Sequence, residues 1–337
     1  MSANLINGAG RSLGAVMGMI VAFGLCVPPA RSVPQGQQSA APGESTDGLL
    51  QAGVDGLKAG KYKKAEDAFR KVLEHEPDNV RALLGVVQVY RAQAKYDEAI
   101  RLLQAQIQKD PARLDYHFAI GDIALQGGMY DLALREFLGV LNRVDKFSPA
   151  AGDLYFRIGQ AYFRKGELDF SIIFLRQARD LQPRNALILT ALGTALNQAG
   201  QKEAAEATYR WALNADANNF QALNNLAFLL AENGSDLNAA LDYAERARRL
   251  FPKLQAASDT LGWVYFKKNM IDEAIGILRD VVKENPADAL YRYHLAAALD
   301  KKGDHPAAIE ELKAALKSNP SKEDEQKIKD LLASISK

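Results

Sequence analysis

The sequence predicts an all-α solenoid of about eight helical hairpins in one register, closed by a C-terminal capping helix. Three ladders of residues carry this reading. Helix-stopping prolines stand at Pro77, Pro111, Pro183, Pro252, Pro286 and Pro320. Small residues recur at Ala65, Ala99, Ala133, Ala205, Ala240, Ala274 and Ala308, and again at Gly53, Gly121, Gly159, Gly193 and Gly262. Their shared period is about 34 residues, the length of a helical-hairpin repeat. The clearest copy is Asp259 to Pro286. Leu261, Gly262 and Tyr265 mark its first helix, a turn falls around Asn269 to Ile271, and Ala274, Leu278 and Val281 mark its second. Small residues at Gly262 and Ala274 let the two helices approach, and large apolar ones fill the space beside them.

The other copies follow in order. Repeat one, Thr46 to Asn79, keeps Gly53, Ala65, Phe69 and Pro77. Repeat two, Val80 to Arg113, has Val87 at the glycine position, which predicts a slightly wider helix pair. Repeat three starts at Leu114 and carries about four extra residues before Pro149, a longer turn that alters the superhelix locally. Repeat four, Gly152 to Asn185, has Ser171 in place of the usual alanine. Repeat five, Ala186 to Asn219, lacks its final proline, so Ala217-Asn218-Asn219 makes that turn. Repeat six, Phe220 to Lys253, gains about one residue at Asn233 to Asp236. Repeat eight, Ala289 to Pro320, has Pro306 near the start of its second helix, where a missing N–H costs little. In the capping helix, residues 321–337, Ser321 caps an acidic first turn, and Ile328, Leu331, Leu332 and Ile335 share one face.

The Leu-Gly-Tyr and Trp-bearing first helix, the alanine-marked second helix and the closing proline resemble the tetratricopeptide repeat (TPR) family over residues 46–320. The resemblance implies a right-handed superhelical α-solenoid. It also implies that first helices line an inner groove at the second, fifth, ninth and twelfth repeat positions. Those positions give Phe118, Phe156, Gln160, Phe163, Asn197, Asn224, Phe228, Asp259, Trp263, Phe266 and Tyr293 as the candidate partner-binding set, with Asp122, Thr190, Thr194 and Gln221 among their neighbours. Aromatics interleaved with amides suit an extended peptide or an amphipathic helix. The same aromatics at the fifth and twelfth positions also serve to pack neighbouring first helices. The charged clamp that other members use for a C-terminal carboxylate is not matched by Arg81, Arg157 and Asn225.

Residues 1–32 are of another kind. Arg11 precedes an uncharged run from Ser12 to Pro29. Its apolar part is about 15 residues, short for a membrane span and suited to a signal-peptide core. Cleavage after Ser32 and retention as a membrane anchor are both open readings. Cys26, the single cysteine, follows Leu25 rather than a small residue, which argues against lipidation. Residues 33–45, rich in Pro, Gly, Gln and Ser, read as a disordered linker. These features predict an exported, periplasmic or envelope-associated protein.

With 42 basic and 41 acidic residues, the chain lacks the charge of a general nucleic-acid binder. The only membrane contact expected is through the N-terminal segment. HExxH, GxSxG and paired cysteines are absent, and the run Gly56 to Lys61 has the wrong spacing for a phosphate loop. The four histidines, His75, His117, His294 and His305, read as ordinary helix residues. No metal, cofactor or catalytic residue is expected, so the chain reads as a non-enzymatic scaffold for a protein or peptide partner. The envelope setting suggests polysaccharide export or secretion assembly, and the alternative is an accessory module that recruits substrate to a separate envelope enzyme.

Overall fold

The computed structural model describes residues 45–336. The N-terminal apolar run and nearly all of the linker lie outside the described residues. The described chain falls into two compact units, divided at Val144. The N-terminal unit holds α1 (Thr46–Lys58), α2 (Tyr62–His75), α3 (Val80–Ala92), α4 (Tyr96–Lys109), α5 (Leu114–Gln126) and α6 (Tyr130–Leu141). The C-terminal unit holds α7 (Pro149–Lys165), α8 (Leu168–Leu181), α9 (Ala186–Gln198), α10 (Lys202–Ala215), α11 (Phe220–Asn233) and α12 (Leu237–Leu250). It continues with α13 (Gln255–Lys267), α14 (Ile271–Glu284), α15 (Ala289–Lys302), α16 (His305–Lys317) and α17 (Lys322–Ile335). No strand occurs among the described residues.

The pairs α1/α2, α3/α4 and so on to α15/α16 each pack as a hairpin. The closest approaches are made where the sequence places its small residues. A Cβ on Gly121 would lie 2.5 Å from the Phe137 ring, and one on Gly262 would lie 2.6 Å from Leu278. Phe69 is confined from two sides, because a Cβ on either Gly53 or Gly85 would meet its ring at 2.5 Å. Large buried side chains thus sit against bare backbone, and the alanines at Ala65, Ala133, Ala205 and Ala274 are fully buried beside them. Val87 is buried as well, in the place where its neighbours carry glycine.

The two kinds of loop differ physically. Between repeats, most turns end in a side-chain cap, the exceptions being those before α5 and α13, where Arg113 and Leu254 stand at the cap. Asn79, Asn185 and Asn219 accept hydrogen bonds from backbone N–H groups in the first turns of α3, α9 and α11. Within each hairpin, one residue takes a left-handed conformation: Gly60, Ala94, Gly128, Gly166, Gly200, Gly234, Asn269 and Gly303. This eighth-fold recurrence forms a further ladder in the register. The insertion of repeat three forms the turn 142–148, closed by Ser148, whose hydroxyl accepts from the Ala151 N–H. Helix α7 therefore begins at Pro149, earlier than the Gly152 expected from the register.

In the C-terminal unit, each first helix contacts the next first helix, along α7, α9, α11, α13 and α15, while second helices chiefly contact the first helices on either side. First helices therefore form the inner layer of this unit and second helices the outer one. Helix α17 packs on α15 and α16, with Ile328 fully buried and Leu331, Leu332 and Ile335 half-buried against the same cluster. The Ser321 hydroxyl caps it by accepting from the Asp324 N–H. Its polar face, from Glu323 to Lys329, carries i,i+4 ion pairs.

Two residues of the turn ladder hold the left-handed conformation with a Cβ attached, Asn269 at φ 62° and Ala94 at φ 56°, and alanine lacks the polar side chain that makes asparagine tolerant of it. A left-handed alanine costs about 1 kcal/mol relative to glycine. Ala94→Gly is expected to raise the unfolding free energy by about 1 kcal/mol, measured by urea denaturation; an unchanged or lower value would contradict the strain.

Candidate functional site

The inner face of the C-terminal unit brings most of the candidate residues together. Phe156 and Phe163 on α7, Phe228 on α11, Phe266 on α13 and Tyr293 on α15 are half-buried and packed against one apolar cluster. Gln160, Asn197 and Asn224 are partly exposed on α7, α9 and α11. Phe118 lies in the N-terminal unit on α5, where its ring meets Phe137 edge-on at 5.5 Å. In that unit a concavity of about 410 Å³ opens beside α1 and α3, lined by Leu50, Val54, Leu57, Phe69 and Gly85, with Asp47 and Arg81 pairing at 3.4 Å.

Two candidates are placed differently from expectation. Asp259 and Trp263 are only 4% and 6% exposed. They stand at the centre of a buried network rather than free on the inner face. The Trp263 indole N–H donates to Glu232 Oε1 at 2.8 Å, and its ring stacks on Phe266 at 4.8 Å and on His294 at 4.2 Å. His294, 1% exposed, places Nδ1 2.8 Å from Asp259 Oδ1. Lys267 lies 3.0 Å from the same Glu232 oxygen and 5.2 Å from the Trp263 ring centroid. The reason is geometric. The fifth and ninth positions of α13 face α11 and α15, the two first helices between which α13 is packed, so these side chains join neighbouring repeats.

The electrostatics follow from this burial. Burial alone pushes the Glu232 carboxyl up, but the Trp263 N–H and Lys267 outweigh it and hold the group below the usual glutamate range. Burial and the Asp259 charge raise Asp288, which caps α15 through the Leu290 and Tyr291 N–H groups. Burial also raises the Tyr293 hydroxyl. His294 is packed among aromatic rings, and its pairing with a carboxylate orients packed helices. Among the described residues no group of histidines, cysteines and carboxylates is placed to hold a metal ion.

A second buried node links α9, α10 and α11. The Tyr209 hydroxyl donates to Thr194 Oγ1 at 3.2 Å, and Asn225 Nδ2 donates to the same atom at 3.3 Å. Thr190 and Thr194 donate to backbone carbonyls one turn back, at 2.7 and 2.9 Å. Both threonines are thus engaged within the protein. Burial pushes the Tyr209 hydroxyl up to about 12.

Sequence reasoning passed over His294, Glu232 and Lys267. A usable signal was the register of His294, directly before Leu295 and Ala296 and therefore on a packed side of α15. Glu232 and Lys267 occupy matching places at the ends of successive first helices, a charge pair visible only once α11 and α13 are set side by side.

The fold and this inner face define a TPR solenoid. The chain belongs to the tetratricopeptide repeat family: models of that description match residues 56–123, 118–186, 190–254 and 260–323. It is 28% identical over 159 residues to the type IV pilus assembly protein PilF of Pseudomonas aeruginosa, covering 47% of this chain and 58% of that protein. It is 26% identical over 279 residues to a CTR9 homolog of Arabidopsis thaliana, covering 67% of this chain and 25% of that protein. The chain thus matches less than two thirds of either relative's length. Among solved structures, it resembles the Cut9 and Hcn1 assembly of the APC/C with a TM-score of 0.61 at 21% identity, covering 87% of this chain and 56% of that one. It also resembles a tetratricopeptide repeat protein of Parabacteroides merdae with a TM-score of 0.54 at 15% identity, covering 87% and 99%. These structures share the fold.

Removing either partner of the buried pair leaves an unsatisfied polar group and, for histidine, a cavity. Asp259→Ala and His294→Ala are each expected to cost about 2–4 kcal/mol of stability. The double variant should lose clearly less than their sum. Strict additivity in chemical denaturation would show that the two side chains are not coupled.

Proposed function

We propose that the chain is a non-enzymatic interaction scaffold of the cell envelope, and that the inner face of its C-terminal unit receives a segment of a partner protein. The observation that carries the proposal is this face itself. Half-buried Phe156, Phe163, Phe228 and Phe266 alternate with the amides of Gln160, Asn197 and Asn224 across consecutive first helices. Aromatic rings supply contact area at low entropic cost, and amides satisfy a partner's backbone. Binding of protein segments is the common use of TPR solenoids, and repeat stacking leaves such a surface open along its length.

The envelope setting is supported by two facts. The apolar part of the uncharged run from Ser12 to Pro29, about 15 residues, has the length of a signal-peptide core. A relative by sequence is a pilus assembly protein. None of the described helices is long and apolar enough to cross a membrane. A scaffold in a secretion or polysaccharide-export assembly fits both facts.

Phe228→Ala/Phe266→Ala removes contact area and keeps the Asp259–His294 pair itself; because Phe228 lies 6.2 Å from the His294 ring and Phe266 stacks on Trp263, the unfolding midpoint of the variant is measured alongside. In pull-downs from envelope extract, the full chain is expected to recover a specific partner that the double variant loses by tenfold or more, as for contacts worth about 1.4 kcal/mol in total. Equal recovery would exclude this face. A reporter fused after Lys337 should appear in the exported fraction; a cytosolic reporter would remove the envelope assignment.

A further inference from the structure

We propose that the tip of the first hairpin, where α1 turns into α2, docks on an anionic membrane surface. The inference concerns the N-terminal unit and does not depend on a partner at the inner face of the other unit. Lys58, Lys61, Lys63 and Lys64 stand around one turn of backbone and are all exposed. That turn is tight: Gly60 takes φ 68°, and the Lys61 N–H closes it by donating to the Gly56 carbonyl at 2.8 Å. None of the four lysines has an ion pair or a side-chain hydrogen bond among the described residues. The nearest carboxylates are largely engaged elsewhere. Glu66 accepts from Arg70 at 2.8 Å and from the Tyr90 hydroxyl at 3.0 Å, and Asp55 accepts from Gln51 at 2.9 Å. Asp67 lies a turn further along α2, where Lys71 adds a further positive charge. Exposed Lys95 holds the same place as Lys61 in the next hairpin and extends the edge.

The cluster breaks a local rule that the other hairpins keep. A helix N-terminus carries partial positive charge and favours acids. Every other second helix supplies one. Acids occupy the first turns of α4, α6, α8, α10 and α14, and Asp236 and Asp304 cap α12 and α16. Helix α2 has no acid in its first turn and no side-chain cap, and carries Lys61, Lys63 and Lys64 there instead. These lysines add to the field of the helix end where acids would oppose it. They make the hairpin less stable by itself, and a negatively charged partner offsets that cost.

A bilayer fits this patch better than other polyanions do. All four residues are lysines, point charges on flexible stems, without the fixed fork by which arginine grips one phosphate or carboxylate. Such charges suit a plane of mobile headgroups, where each lysine near an anionic surface raises partition about fivefold. A nucleic acid calls for a longer basic track and rings on which bases stack. The one aromatic residue of the tip, Tyr62, is half-buried against the apolar cluster of the first hairpin. The position agrees as well. The uncharged run from Ser12 to Pro29 ends about 16 residues before Thr46, a reach of at most about 55 Å. A chain retained by that run keeps the tip in range of the same surface, and two weak attachments together hold far more firmly than either alone.

The test partitions the full chain onto vesicles of phosphatidylcholine alone and of phosphatidylcholine mixed with phosphatidylglycerol. Attachment through the apolar run appears on both, so the ratio of anionic to neutral binding isolates the part that depends on charge. The wild-type ratio is expected to exceed about tenfold at about 0.1 M salt and to fall toward one at about 0.5 M. Lys61→Gln/Lys63→Gln/Lys64→Gln should lower it about tenfold or more. The same variant should melt no lower than the wild type, because it removes positive charge from a helix N-terminus. An equal change of charge at Lys253, Lys283 and Lys313, exposed residues of the other unit, should leave the ratio within about twofold. A second readout, lysine acetylation mapped by mass spectrometry, works even where the run holds every chain on both vesicles. Lys58, Lys61, Lys63 and Lys64 should react about threefold or more slowly on anionic vesicles than on neutral ones, and Lys253, Lys283 and Lys313 alike on both. Equal losses from the two triple variants, or tip lysines that react alike on both vesicles, overturn the proposal. So does a single-stranded oligonucleotide that binds the tip more tightly than the anionic vesicles and displaces them.

Discussion

A helical pair of this length cannot cover its own apolar surface. Everything else in the molecule depends on that constraint. Each hairpin must close tightly enough to exclude water between its helices, and must then be covered by the next hairpin. The first demand explains why Gly121 faces Phe137 with no room for a Cβ, and why Phe69 is held between Gly53 and Gly85. The second explains α17. It covers α15 and α16 with Ile328, Leu331 and Leu332, and turns Glu323, Lys327 and Lys329 outward, so the row of repeats ends on a surface water accepts.

The same constraint reassigns residues that look functional. Trp263 has the bulk and the position of a ligand anchor, yet its ring stacks on Phe266 and His294 and its N–H donates to Glu232. A solenoid has no single centre, so coupling between repeats must be local. Here it is carried by a chain of contacts from Glu232 on α11, through Trp263 and Asp259 on α13, to His294 on α15. Satisfied polar groups of this kind specify one arrangement of three helices more sharply than apolar packing alone. The face left for a partner is then the row of phenylalanines and amides beside that network.

Much of the fold could be read from spacing, because repeat packing is periodic and periodicity is visible in one dimension. The prolines and small residues mark helix ends and contacts correctly, from Pro77 to Pro320 and from Ala65 to Ala308. A further ladder, the left-handed hairpin turns from Gly60 to Gly303, was equally visible but is interrupted by Ala94 and Asn269. The early start of α7 was harder to foresee, since Ser148 and Pro149 supply a cap and an N-terminal proline within an insertion that breaks the register. The candidate site was legible only as a list of inward positions. Which of them are accessible depends on how far α13 is gripped by α11 and α15, and that grip involves His294 and Lys267, whose partners lie about one repeat away.

The two tryptophans of the chain stand in opposite surroundings. Trp211 on α10 is 51% exposed, whereas Trp263 is sealed between rings and hydrogen-bonded to a carboxylate. The intrinsic emission of the protein is therefore a sum of two colours, a red component from water-facing Trp211 and a bluer one from Trp263. Emission collected on the red side is weighted toward the first, and emission on the blue side reports on the join between repeats six, seven and eight. The molecule carries, without labelling, an optical gauge of its own central contact.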